Sequence, residues 1–399
     1  MKLYYKFRAW LVPLLTKLMP RPNQIVFKGR NSALELCDQL AVLGYRKVLL
    51  VTDAFLSSSP MVDTLTQRLE ARSVEVVLFS GVEPDPTEDQ ALAGVAMAQQ
   101  QQTDAVLAVG GGSVLDCAKY IAMVCHNPGS IARFGGIQKF KRAGLPLAAV
   151  PTTAGTGSEV TLVAMISDSN THTKVVVADT KMLPAMIAID AEMMRGMPPS
   201  VTAATGMDAL THAVESYLSK GSDATSEIHA VAAVRLIFGY LHRAWNNGDD
   251  LEARDAMGSA AYYAGLAFGR TSVGYVHGIA HQLGRLCHTP HGVANAMVLP
   301  EVISAYGPAV YPRLAHLARA VAIGSPTDSD ADLAKAFIAA MAQLRITLEL
   351  PTKPRGLTRE MALDVAVTAI REAGEFYPVP RYLSRAEIDA LVDPLVSAA

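Results

Sequence analysis

The sequence is poor in the features that mark several protein classes. Cysteine occurs four times in 399 residues, at Cys37, Cys117, Cys125 and Cys287, with no CxxC pair. That scatter builds neither a disulfide framework nor a cysteine metal site, and it predicts reduced thiols in a cytoplasmic protein. There is no excess of charge: 35 Lys and Arg against 37 Asp and Glu leave a net −2, without the basic balance of a nucleic-acid surface. Only 18% of residues are charged and half are hydrophobic, which excludes a disordered chain. The N-terminal MKLYYKFRAWLVPLLTKLMP lacks an apolar run of the ~20 residues needed to span a bilayer, and Pro13 interrupts what there is. No small-residue cleavage site follows, so a secretory signal is not expected. Residues 1–21 are read as an extension, a short helix packed on its own domain or on a partner subunit. The alternative is an amphipathic helix making weak membrane-surface contact through residues 1–20.

At this length two domains are expected. The first half alternates β-branched runs with helical patterns: KVLLVTD, VEVVLFSG, TDAVLAVGGGS and PLAAVPTTAGTGS, with PMVDTLTQRLEAR and EDQALAGVAMAQQQQ between them. This pattern predicts an α/β domain with a parallel sheet covered on both faces. The run of glutamines at 99–102 is read as the solvated end of a helix. Beyond Pro198 and Pro199 the apolar spacing becomes helical, as in HAVAAVRLIFGYLHRAW and DADLAKAFIAAMAQL. The expected boundaries are 22–196 for the α/β domain and 197–399 for an all-α domain.

Two glycine-containing loops follow predicted strands. In AVLAVGGGSVLDCAKY, Gly110, Gly111, Gly112 and Ser113 lead from a strand into a helix, where unpaired N–H groups and the helix dipole favour a phosphate. It is not a GxGxxG fingerprint, and a tight strand-to-helix turn is the plain alternative. PTTAGTGSEVT repeats the arrangement with Thr152, Thr153, Thr156 and Ser158 as donors. Two such loops after parallel strands would line one crevice at the carboxyl edge of the sheet. Asp53, at the end of KVLLVTD, suits a ribose diol and would repel a 2′-phosphate, which favours NAD over NADP. The same residue equally suits a helix N-cap for AFLSSSP, and both readings stay open.

Histidine is scarce, ten in all, yet His277, His281, His288 and His291 fall in one stretch, VHGIAHQLGRLCHTPHG. Asp208 and His212 in GMDALTHAVE are i and i+4, and so are His277 and His281, so each pair shares a helix face. These four, with His291 just past a probable turn after Pro290, can supply ligands for a first-row divalent ion, with Fe(II) and Zn(II) both open. His288 is off the i, i+4 spacing and is placed outside the site. His126, His172, His229, His242 and His316 lack such company and are read as surface or core. Phe268, in LAFGRTSVGYVHG, is a candidate wall of the same cavity, with a plain core role as the alternative.

Taken together, VTD, VEPDPT, AVGGGSVLD, VPTTAGTGSEVT, TAATGMDALTHAVE, VHGIAHQLG and PHGVANAMVLP resemble the iron-containing, group III alcohol dehydrogenases, in the order of that family and over nearly the whole chain. The resemblance implies a dinucleotide-binding domain, a helical domain and an active site in the cleft between them. By motif match it implies Asp208, His212, His277 and His291 as metal ligands, with His281 unligated near the nicotinamide. It implies cofactor contacts from Asp53, Asp85, Gly111, Gly112, Ser113, Thr152, Thr153, Thr156 and Lys174. The implied cofactors are NAD and Fe(II), with Zn(II) in some members, and the implied assembly is a homodimer or larger. The chain departs from the family at Val379-Pro380-Arg381, where Asn-Pro-Arg is common, a region that shapes the substrate pocket. The N-terminal extension is also longer than in the simplest members.

The expected reaction is NAD-linked, metal-dependent interconversion of a primary alcohol and its aldehyde, with His281 as the proton carrier. Apolar surroundings favour small to medium unbranched alcohols. The alternatives are a polyol or hydroxy-acid dehydrogenase of the same architecture and a dehydroquinate-synthase-like lyase. Between Phe268 and His291 the only cations are Arg270 and Arg285, few for a phosphorylated or carboxylated substrate. A nucleotide-free metal hydrolase would leave both loops unexplained, and a non-catalytic sensor predicts binding without turnover.

Overall fold

The computed structural model describes residues 23–171 and 173–397. The expectations for residues 1–20 and for His172 lie outside them. The chain forms two compact units, Pro20–Met197 and one built on Pro198–Ala399. Among the described residues no helix is long and apolar enough to cross a membrane.

The first unit holds a six-stranded parallel sheet in the order β1-β9-β6-β4-β2-β3. Its strands are β1 (Ile25–Lys28), β2 (Lys47–Asp53), β3 (Glu75–Val82), β4 (Ala105–Gly110), β6 (Leu147–Pro151) and β9 (Met186–Ile189). Helices α1 (Ser32–Val42) and α2 (Pro60–Glu70) pack together, as do α3 (Glu88–Gln101) and α4 (Gly112–Val124). The central strands are buried on both faces. Val48, Leu50, Leu107 and Val109 meet Leu36, Leu40, Leu65 and Leu69 of α1 and α2. Their alternates Leu49, Val51, Val106 and Ala108 are equally inaccessible. Burial on both faces is why these strands read as unbroken apolar runs.

From β2 the chain runs outward to β3; from β4 it runs the opposite way to β6. The connections therefore diverge between the carboxyl ends of β2 and β4, the switch point at which ligands bind in doubly wound sheets. Asp53 ends β2 and Gly110 ends β4. A smaller sheet of β5 (Gly136–Ile137), β8 (Lys174–Ala178) and β7 (Val163–Ser167) carries an antiparallel β7–β8 pair.

The second unit is helical: α5 (Pro199–Leu218), α6 (Ala224–Asn246), α7 (Leu251–Thr271), α8 (Tyr275–Cys287), α9 (His291–Ala305), α10 (Tyr311–Ala320), α11 (Asp330–Thr347), α12 (Arg359–Phe376) and α13 (Arg385–Val392). Every residue from Gly206 to Leu218 of α5 is buried, so this helix runs through the middle of its unit, against α6, α7 and α9. A helix buried all round has no solvated face for its polar side chains, so each must find a partner inside. On α5 the buried polar side chains include Asp208, His212 and Glu215.

Candidate metal centre and cofactor loops

Three helices of the second unit bring the sequence candidates together. Asp208 and His212 project from one face of α5, His277 from the first turn of α8, and His291 opens α9. One ligand atom from each of the four lies within 4.8 Å of the others. Asp208 Oδ1 is 3.9 Å from His212 Nδ1, 3.7 Å from His277 Nε2 and 3.4 Å from His291 Nε2. Ligands about 2.1 Å from a tetrahedral ion stand roughly 3.4 Å apart, so this spacing needs only a small contraction.

The close approach of α9 to α5 depends on glycine. A Cβ at Gly292 would sit 2.1 Å from the carbonyl oxygen of Ala204. Only without that atom can His291 reach Asp208, one turn further along α5 from Ala204.

Electrostatics tie the cluster together. Burial alone would raise the Asp208 carboxyl, but the imidazoles around it, His212 first, hold it well below its ordinary range. Burial drives His212 down to about 3. Burial also opposes charge on His277, yet its bonds to Asp208 and Glu215 outweigh this and lift it to about 9. The donor set fits a first-row divalent ion. His212 Nδ1, aimed at Asp208, is buried without a hydrogen-bond partner, and a neutral imidazole nitrogen so placed has a lone pair to give.

Phe268 stacks on His212, ring centroids 4.1 Å apart. His281 stacks on His291 at 5.4 Å but is not among the four grouped donors. Its Nδ1 is 3.7 Å from Glu372 Oε2, which accepts from the Tyr377 hydroxyl at 3.0 Å. His288 caps the end of α8 in a left-handed conformation, also outside the group.

Several partners escaped the sequence reading. Asn295, fully buried, donates from Nδ2 to Asp208 Oδ1 at 2.8 Å and lies 3.3 and 3.2 Å from His277 Nε2 and His291 Nε2. Glu215 accepts from His277 Nδ1 at 2.6 Å. Both follow a ligand at helical spacing, Asn295 four residues after His291 and Glu215 three after His212, so a same-face search would have found them. Glu372 comes from a distant helix and left no such signal.

In the first unit the two loops after β4 and β6 touch. A Cβ at Gly112 would lie 2.7 Å from Thr156 Cγ2, and one at Gly111 would lie 3.3 Å from Thr153 Cγ2. Gly111 caps α4 with no side-chain bond, so the first N–H groups of that helix are open to an anion. Lys119 of α4, wholly buried, donates to Ser158 Oγ at 2.8 Å, to Thr161 Oγ1 at 3.1 Å and to the Val163 carbonyl at 2.8 Å. Asp116 accepts from Ser158 Oγ and from the Met165 amide. Helix α4 thus fixes the threonine loop to the glycine loop. Asp53 Oδ1 accepts from the Leu56 amide at 2.8 Å, so Asp53 caps the turn 54–57. A carboxylate has further lone pairs for a ribose. Asp85 pairs with Lys174 at 2.5 Å across exposed surface.

Most of the chain matches two family models: iron-containing alcohol dehydrogenase over residues 22–191, and the C-terminal region of the Fe-containing alcohol dehydrogenase family over 202–396. The chain belongs to the iron-containing alcohol dehydrogenase family. Within this family it is 42% identical over 274 residues to alcohol dehydrogenase 4 of Schizosaccharomyces pombe, an alignment covering 69% of this chain and 65% of that protein. It is 37% identical over 338 residues to the NAD-dependent methanol dehydrogenase of Bacillus methanolicus, covering 85% and 88%. A crystal structure of 1,3-propanediol oxidoreductase superposes with a TM-score of 0.90 at 36% identity, over 94% of this chain and 98% of that one. An iron-containing alcohol dehydrogenase with this α/β unit and this helical unit is what the motifs implied.

Proposed function

We propose that this iron-containing alcohol dehydrogenase interconverts a primary alcohol and its aldehyde with NAD and a divalent metal, Fe(II) or Zn(II). The observation that carries the reading is the donor set of buried Asp208, His212 and His277 with the exposed His291. A divalent ion there would lower the pKa of an alcohol hydroxyl by several units, and a nicotinamide would take up the hydride. The chain does the rest. Asp208, His212, His277 and His291 bind the ion, and Asn295 steadies Asp208. Phe268 excludes water from one side of His212. His281 holds a proton at Nδ1 opposite Glu372 Oε2, which in turn accepts from the Tyr377 hydroxyl. Burial pushes the His281 pKa below its ordinary value, opposed by Glu372 and aided by the His291 and His277 imidazoles.

The NAD reading rests on Asp53 at the switch point and on the coupled loops at Gly111, Gly112, Ser113, Thr152, Thr153 and Thr156, with Asp85 and Lys174 at the rim. Apolar surroundings and the lack of a charged anchor favour small to medium unbranched alcohols. A homo-oligomer, a cytoplasmic location and a weak membrane contact through residues 1–20 complete the proposal. They are supported by the family resemblance, the scattered thiols and the mixed basic and apolar N-terminal sequence.

The test is NADH formation across a chain-length series of primary alcohols, with wild type and His277→Ala loaded with Fe(II) or Zn(II). The expected result is metal-dependent turnover in wild type and loss of both metal and turnover in the variant. Full activity of His277→Ala without bound metal would reject the assignment.

A further inference from the structure

We infer that Glu215 is the positioning residue of the metal centre, a buried carboxylate that locks His277 and the start of its helix to the helix carrying Asp208 and His212. The proposal rests on the reading of those residues as ligands. Glu215 is 5% exposed. Oε2 accepts from His277 Nδ1 at 2.6 Å and from the Gly274 amide at 2.9 Å, and Oε1 accepts from the Val276 amide at 2.8 Å. Helix α8 starts at Gly274 with no side-chain cap of its own. A helix start leaves N–H groups unsatisfied and favours negative charge, and here both needs are met by a carboxylate from α5.

Position 274 is built around this contact. A Cβ there would lie 2.6 Å from Glu215 Oε1, so the carboxylate can approach only a glycine. The bond to Nδ1 also decides which His277 nitrogen faces the ligands. With Nδ1–H engaged, the lone pair belongs to Nε2, the atom 3.7 Å from Asp208 Oδ1. Glu215 follows Asp208 by seven residues and His212 by three on α5, so one helix face carries two ligands and the clamp on a third.

Partners of this kind typically change metal affinity by about 10–100-fold when removed. Glu215→Gln keeps the size but replaces one acceptor oxygen with an amide donor that must face an N–H group. The experiment loads the full chain with Zn(II) and measures chelator competition for wild type, Glu215→Gln, His277→Ala and the double variant. The expected outcome is roughly 10–100-fold weaker Zn(II) retention in Glu215→Gln. In the His277→Ala background the same change should matter by less than about 3-fold, since the clamp acts through that histidine. A purely structural role predicts an equal loss in both backgrounds, which would overturn the proposal. So would wild-type retention in Glu215→Gln while His277→Ala is weakened. Wild-type retention in His277→Ala would instead reject the ligand reading and the clamp together. If Glu215→Gln fails to fold, Glu215→Asp, which keeps the charge but falls short of Nδ1, carries the same expectations.

Discussion

Gly292→Ala is the sharpest test of how the centre is assembled. The added Cβ would stand 2.1 Å from the Ala204 carbonyl oxygen and 2.6 Å from its carbon. Non-bonded carbon contacts need more than about 3 Å, so the start of α9 must retreat from α5 by roughly 1 Å. Both colliding atoms are backbone, which leaves no side chain to rotate away. His291 precedes this residue directly and moves with it. Metal–ligand distances tolerate about 0.2 Å, so a 1 Å shift removes His291 from the ligand set. Losing this one ligand should weaken metal retention at least as much as losing an outer partner, about 10–100-fold. The overpacking itself should cost about 1–3 kcal/mol of stability. Chelator competition gives the first quantity and denaturant unfolding of metal-free protein the second. Wild-type metal retention in a folded Gly292→Ala protein would refute the placement of His291.

Asp53→Gly should raise kcat/KM for NADP relative to NAD, because the carboxylate that repels a 2′-phosphate is gone. An unchanged ratio would leave Asp53 only as the cap of turn 54–57. Glu159 gives a pH signature in the first unit: burial lifts its carboxyl to about 7 from the usual 4.5. The folded state therefore favours the protonated form. Its contribution is full below about 4.5 and is lost as pH rises through about 7, on the order of 3 kcal/mol. Glu159→Gln should flatten that slope in denaturant unfolding between these pH values, and a slope equal to wild type would contradict it. Glu387, bonded to Arg381 and capping α13 with Ser384, is held down at about 2, so it stabilises above the ordinary carboxylate range and loses that contribution on acidification. Glu387→Gln should blunt the acid-side loss of stability, and an identical acid profile would count against it.

Much of this molecule was legible in its residues. Continuous apolar strands announced a sheet buried on both faces, and the shift to helical spacing after Pro198 and Pro199 announced the second unit. The i, i+4 pairs Asp208–His212 and His277–His281 marked the helix faces. They did not separate the two members of a pair: His277 and His281 have the same spacing, yet only His277 lies with Asp208, His212 and His291, where it bonds Glu215, while His281 lies near Glu372. That difference is tertiary and has no one-dimensional pattern. Gly292 and Gly274 were equally silent, since what each must avoid lies on α5, far away in the chain. Asp53 shows the converse. Its cap and its ribose reading both follow from a carboxylate at a strand end, and the structure displays the cap.

The central claim is that redox turnover depends on an ion held by Asp208, His212, His277 and His291. The most direct measurement follows NADH formation from NAD and a primary alcohol while Fe(II) or Zn(II) is titrated into metal-stripped protein, with metal per chain determined at each point. The predicted result is activity that rises in proportion to bound metal and saturates at one ion per chain. Undiminished NADH formation by the metal-stripped protein would contradict it.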